Sequence, residues 1–295
     1  VALVTGGRSE NQTLLDQKFD YIFFTGSKQV GQIVMERASR HLTPISLELG
    51  GKSPCIVDRS SSLKIAARRI AFGKYLNAGQ TCVAPDYVLI DETVKDEFIG
   101  YFKSAIADTF GNDPLESELL VKIINTKHFD RLKNLLDNQK IAIGGKYNAD
   151  TLKIEPTVID DVFEDNVIMD DEIFGPILPI MTFKEIEEAH AYINRHPKPL
   201  ALYLFTNDKA NQKATLRSCN FGGGCINDVV VHVASDSLPF GGVGESGMGN
   251  YHGKASFDTF THYRSILHKA NWLDTQFRYA PYTKIKEKII KIFLR

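Results

Sequence analysis

Short apolar runs bounded by turn residues alternate with stretches of helical periodicity along most of this chain. That alternation confines it to an α/β architecture with mainly parallel strands. VALV (1–4) and YIFFTG (21–26) are β-rich and end on or near glycine, as fully buried parallel strands do. SLKIAARRIAFGKYLN places Leu63, Ala66, Ala67, Ile70, Ala71 and Tyr75 at helical spacing, with Ser62 available as a cap. YVLID (87–91) follows as a strand, then a helix over 93–109 with Val94, Phe98, Phe102 and Ala105 on one face. The pattern continues as a helix around 119–138, strands KIAIGG (140–145), PTVID (156–160) and ILPIMTF (177–183), a helix at 184–195, the strand ALYLFT (201–206) and a helix at 208–218. FDTFTHYRSILH (257–268) reads as a lone extended arm of the kind that pairs with another subunit.

Charge excludes whole classes of partner. Thirty-five basic side chains face thirty-six acidic ones in 295 residues, so no global field draws the chain to nucleic acid or to an anionic membrane. Cys55, Cys82, Cys219 and Cys225 stand far apart without a CxxC pair, which argues against a zinc site or a disulfide framework and fits a reducing cytoplasm. No run of about 18 apolar residues suggests a membrane span, and no signal peptide is evident. The C-terminal YTKIKEKIIKIFLR is short, basic and amphipathic; it reads as a helix or extended tail packed on the body or on a partner rather than as an anchor.

Three stretches carry chemistry-bearing residues. In FFTGSKQVG, Gly26 and Ser27 end an apolar strand and Gly31 lies early in the following helix, a strand–turn–helix N-terminus that suits an anion. In LELGGKSP, Glu48 stands between leucines and before Gly50 and Gly51; such a carboxylate pairs, exits to water or works as a base. In NAGQTCVAPD, Cys82 is either a nucleophile or one of the small buried thiols common in globular chains. Five glycines between 241 and 249 read as a mobile loop.

Taken in order, LELGGK, GQTC and, further on, DEIFGP (171–176) resemble the aldehyde dehydrogenase superfamily. The longer stretches FDYIFFTGS, HLTPISLELGGKSPC, GKYLNAGQTCVAPDY and LPFGGVGESGMGNYHGKASFDTF are most similar to its class 3 branch, and the resemblance covers essentially the whole chain. It implies a parallel-sheet catalytic domain over 48–250, the C-terminal part of a Rossmann-type dinucleotide-binding domain over 1–47, and an oligomerisation arm and tail over 251–295. It implies oxidation of aldehydes to carboxylic acids with NAD or NADP as cofactor. Cys82 would add to the aldehyde, hydride would pass to the nicotinamide, and Glu48 would activate the water that hydrolyses the thioester. Glu172 would bind the nicotinamide ribose and Phe174 would pack beside the nicotinamide. Gly26, Ser27, Gly31, Leu49 and Gly50 complete the implied cofactor contacts. Asn227 would help hold the catalytic glutamate, and Phe240 would line the substrate channel. Medium- or long-chain aliphatic and aromatic aldehydes are the implied substrates, and a homodimer the implied assembly.

Full-length relatives carry about 150 to 170 further residues before VALVTGG. These include most of the cofactor sheet and an asparagine that shares the oxyanion hole, so the chain reads as the C-terminal two-thirds of such a protein, inactive or weakly active alone. Three alternatives stay open at this level: a cofactor-independent thiol esterase using Cys82 and Glu48, a non-catalytic scaffold remnant, and a CoA-acylating relative, which Glu48 at the base position disfavours.

Overall fold

The computed structural model describes residues 1–294, which divide into two compact units, 1–260 and 261 onward. The first unit opens with α1 (Arg8–Leu15), β1 (Ile22–Thr25), α2 (Lys28–Ser39) and β2 (Ile45–Glu48). Then come β3 (Pro54–Val57), α3 (Leu63–Tyr75), β4 (Tyr87–Asp91), α4 (Lys95–Phe110), α5 (Thr126–Asn134) and β5 (Ile141–Ile143). β6 (Tyr147–Asn148) and β7 (Lys153–Ile154) form a two-stranded ribbon before β8 (Thr157–Ile159) and β9 (Ile177–Phe183). The unit closes with α6 (Ile186–Arg195), β10 (Ala201–Phe205), α7 (Lys209–Ser218), β11 (Gly223–Ile226), β12 (Gly247–Met248) and α8 (Gly253–Thr259).

Seven strands form the main sheet in the order β11-β10-β3-β4-β9-β8-β5, parallel throughout except for the β5–β8 edge. All residues of β3, β4 and β10 are buried, which is why β4 and β10 read as unbroken apolar runs rather than alternating ones. α3 and α4 cover one another through Ala66, Ala67, Ile70, Phe98 and Phe102. Each large apolar side chain buried there contributes about 1.5–3 kcal/mol. A smaller sheet, β1-β2-β12, has its own core of Val34, Leu47 and Leu49 under α2.

Several expected elements take another form. Val1–Val4 make no strand: they are exposed and pair with no neighbour among the described residues. The lone strand expected over 257–268 is replaced by α8 and an irregular stretch, because Phe257 and Phe260 lie on a helical turn whose Phe260 N–H is bonded back to Ser256. The helix expected over 119–138 is confined to α5, since Lys122 and Ile124 are drawn out of helical pairing by bonds to the Gln80 side chain. Ser62 occupies the cap position of α3 without a side-chain cap bond. β3 and β11 were not apparent in the sequence pattern.

The second unit contains α9 (Lys284–Phe293), capped by Thr283, whose Oγ1 accepts the Lys286 N–H at 3.4 Å. Phe277 stacks on Phe293 with centroids 5.5 Å apart. The C-terminal basic stretch is therefore helical over Lys284–Phe293.

Candidate active site

Three loops meet at the amino-terminal edge of the main sheet. They lead into β3, β4 and β9, which are neighbours in the sheet, and parallel strands start on a common edge. The first holds Gly50 and Lys52, the second Cys82 and Asp86, the third Glu172 and Phe174. Glu48 comes from the carboxyl end of β2 in the small sheet, paired in register with Thr25 of β1 on one side and Gly247 of β12 on the other.

Glu48 is only 5% exposed, which removes the alternative of an edge carboxylate facing water. Thr25 donates its hydroxyl to Oε2, whereas Oε1 is buried without a hydrogen-bond partner. A buried carboxylate oxygen in that state is costly and stands ready to accept a proton or a donor.

The Cys82 loop depends on an unusual backbone. Asn77, Ala78 and Gly79 take φ of 52°, 52° and 74°, turning the chain sharply at the end of α3. A Cβ on Gly79 would come within 2.2 Å of the Gly175 carbonyl oxygen, so only glycine lets the cysteine loop and the third loop touch. Gln80 of the GQTC stretch braces the turn, donating to the Asn77 carbonyl at 3.1 Å and accepting the Ile124 N–H at 2.9 Å. Behind the cysteine, the Tyr203 hydroxyl donates to the Val83 carbonyl at 2.5 Å. The thiol is half-buried, and its pKa is pushed up to about 12, by burial first and then by the negative charge of Glu48.

Glu172 lies over the double glycine. The Gly51 N–H donates to it, and a Cβ on Gly50 would sit 2.0 Å from its Oε2. Burial, and then the charge of Asp86, push this carboxyl up to about 8. Phe174 is held at φ 48° with 41% of its surface exposed, a strained backbone that keeps a large ring out of the core. Ser27 caps α2, its Oγ accepting the Val30 N–H at 3.5 Å, and the Gly26 N–H donates to the Glu48 carbonyl at 3.0 Å. Gly31 and Leu49 are in contact: the Leu49 side chain is buried in the small core, so only its main chain remains to meet a ligand.

Two expected site residues lie elsewhere. Asn227 follows β11 at the carboxyl edge of the sheet, a strand length of roughly 13 Å from the loops. Both ends of its amide are taken by Thr206, at 2.8 and 2.9 Å, so it joins β10 to β11 and does not hold Glu48. Phe240 is 5% exposed and enclosed by the rings of Tyr251, His252 and His232. The glycine-rich segment is folded down rather than loose: Leu49 N–H donates to the Ser246 carbonyl at 3.1 Å, and Gly247 enters the small sheet.

The profile described as the aldehyde dehydrogenase family matches residues 1–266. The chain belongs to the aldehyde dehydrogenase family. It is 48% identical over 297 residues to the 4,4'-diaponeurosporen-aldehyde dehydrogenase of Staphylococcus aureus, covering 100% of this chain and 64% of that protein. It is 49% identical over 268 residues to the dimeric NADP-preferring aldehyde dehydrogenase of Rattus norvegicus, covering 91% of this chain and 59% of the relative. The solved structure titled as the substrate-bound state of S. aureus AldH superposes with a TM-score of 0.95 at 49% identity, over 99% of this chain and 64% of that one. This aldehyde dehydrogenase chain thus spans about three-fifths of its relatives' length.

Sequence reasoning missed four residues around the site: Thr25, Lys52, Asp86 and Tyr251. Tyr251 packs edge-on to Phe23, centroids 4.8 Å apart, and burial followed by the charges of Glu48 and Cys82 raises its hydroxyl to about 12. Lys52 and Asp86 stood inside the quoted stretches, but only their pairing in space shows their use.

Proposed function

We propose that this chain carries the reacting groups of an NAD(P)-dependent aldehyde dehydrogenase, converting aldehydes to carboxylic acids through a covalent thioester on Cys82. The observation that carries this reading is the half-buried Cys82 thiol facing a buried Glu48 with one unpartnered oxygen.

The chemistry of the residues present also fits a nicotinamide dinucleotide. Glu172 offers acceptor oxygens suited to a ribose diol, the bare Cα of Gly50 lies against it, Phe174 presents an exposed ring, and the turn at Gly26 leads into the Ser27-capped N-terminus of α2, whose dipole favours an anion. Such a dinucleotide, when bound, supplies the hydride acceptor for the oxidation. The chain's own groups do the rest. Glu48 takes the thiol proton, and the Cys82 sulfur forms a bond to the carbonyl carbon, placing negative charge on the oxygen beside the Cys82 main-chain N–H. Glu48, once it has released that proton, takes another from a water molecule that attacks the thioester, and the carboxylic acid leaves as the sulfur recovers its electron pair. Tyr251, backed by the buried ring of Phe240, bounds the site with apolar ring surface, favouring medium- or long-chain aliphatic and aromatic aldehydes.

We further propose a cytoplasmic homodimer formed through residues 251–295. The rat relative's description as dimeric supports this, as do the exposed Ile266, Leu267 and Trp272. Among the described residues no helix is long and apolar enough to cross a membrane.

The reading is tested by following reduced nicotinamide formation when the chain is given an aliphatic or aromatic aldehyde with NAD or NADP. Turnover abolished by Cys82→Ser supports it; equal turnover in that variant refutes it. Light scattering that gives a monomer mass refutes the dimer.

A further inference from the structure

A second set of charges is buried directly behind Glu172. Lys52 Nζ pairs with Asp86 Oδ2 at 2.6 Å, with side chains 16% and 4% exposed. The same ammonium donates to the carbonyls of Ile168 at 3.0 Å and Asp171 at 2.9 Å, so its three N–H groups are all engaged. Asp86 uses its other oxygen to accept the Ile173 N–H at 2.9 Å, and Arg131 Nη2 on α5 donates to the Ile173 carbonyl at 2.6 Å. Four bonds from three side chains therefore hold the main chain of 168–173, with Glu172 between the fixed points.

Stability alone does not require this arrangement. A buried ion pair loses solvation that its attraction barely offsets, and apolar replacement is often neutral or stabilising. What apolar side chains could not do is bond the carbonyls of 168 and 171 and the N–H of 173, and so place that segment in register. Asp86 is also four residues beyond Cys82, and its N–H donates to the Ser53 carbonyl at 2.8 Å. One ion pair consequently ties the nucleophile's loop, the double-glycine loop and the Glu172 segment together.

We propose that Lys52 and Asp86, assisted by Arg131, are positioning residues that set where Glu172 stands relative to Cys82, coupling dinucleotide binding to the nucleophile. The proposal rests on the reading of Glu172 as the ribose ligand.

Hydrogen exchange, NAD titration and iodoacetamide labelling of Cys82 on the 295-residue chain test it. In Asp86→Asn and Lys52→Met, amides of 168–174 should exchange about tenfold faster while those of β3 and β4 keep their protection, and NAD binding should weaken about tenfold. Lys52→Arg should restore most of both. Because Asp86→Asn and Lys52→Met each leave the other member of the pair uncompensated and can prevent folding, Lys52→Met/Asp86→Asn, which removes both, and Arg131→Met, which leaves the pair intact, carry the same test. Unchanged exchange over 168–174 in those two variants overturns the proposal. So does faster exchange with NAD affinity and Cys82 labelling both unchanged, which would make the cluster merely structural. If the unaltered chain binds no NAD, the ribose role of Glu172 fails; the exchange and Cys82 labelling rates then still decide whether the cluster fixes that segment against the nucleophile.

Discussion

The hydroxyl of Thr25 donates to Oε2 of Glu48 across the β1–β2 register, leaving Oε1 as the buried, unpartnered oxygen of a carboxylate whose charge reaches Cys82. A base aimed in this way owes its orientation to one bond. Thr25→Val keeps the shape and removes that bond, and a hydrogen bond to a charged group is worth about 1.5–3 kcal/mol. Breakdown of a Cys82 acyl-enzyme formed with a p-nitrophenyl ester should therefore slow about tenfold or more. An unchanged rate of breakdown would show that Thr25 does not orient Glu48.

Cys82 and Glu48 oppose one another electrostatically in the resting chain. With the thiol at about 12, its alkylation by iodoacetamide should rise with pH through 7 to 10 without the plateau an ordinary thiol shows. Glu48→Gln removes the negative charge, which lowers the thiol pKa and speeds alkylation at any given pH. The same variant loses the base, so aldehyde turnover should fall about 100-fold or more. Opposite movement of the two rates is the expected signature; parallel movement contradicts it.

Glu172 should leave a mark on stability against pH. Its folded pKa, about 8, lies above its ordinary value of 4.5, so the folded chain holds a proton there that the unfolded chain has released. Its contribution is complete below about pH 4.5 and is lost as pH rises toward 8. Glu172→Gln cannot lose that proton, and should gain on the unaltered chain by about 2–4 kcal/mol between pH 4.5 and 8 in urea unfolding. A constant difference across that window would mean that Glu172 is ionised in the folded chain.

Gly79→Ala places a Cβ 2.2 Å from the Gly175 carbonyl at a φ of 74°. The strain and the clash together should cost about 2 kcal/mol or more of stability and displace the Cys82 loop. Urea unfolding gives the first effect and the iodoacetamide rate at Cys82 the second. Full retention of both would show that the loop can withdraw from Gly175.

Legibility followed the range of the interactions. YVLID and ILPIMTF coincide with β4 and β9, because runs buried on both faces, as all of β4 and the first four residues of β9 are, announce themselves in composition. Val1–Val4 have the same composition but no strand to pair with among the described residues. β11, Gly223–Ile226, is poor in β-formers and exists through its ladder to β10. Lys74 sits on the helical face predicted to be apolar and is fully buried, its Nζ without a hydrogen bond; its charge partners, Asp86 and Glu172, arrive from distant loops.

At the site, the sequence by itself determined the chemical types present and, by resemblance, the family: a thiol, two carboxylates, glycines where the backbone must approach closely, and an aromatic in a turn. Tertiary structure alone decided that Thr25 orients Glu48, that Lys52 and Asp86 hold the Glu172 segment, and that Asn227 belongs to the opposite edge of the sheet. The physical reason is that a motif records neighbours along the chain, whereas hydrogen bonds and charges act over a few ångströms in space. The parallel sheet brings loops 30 to 120 residues apart to one edge, and no local pattern specifies which polar atoms then meet.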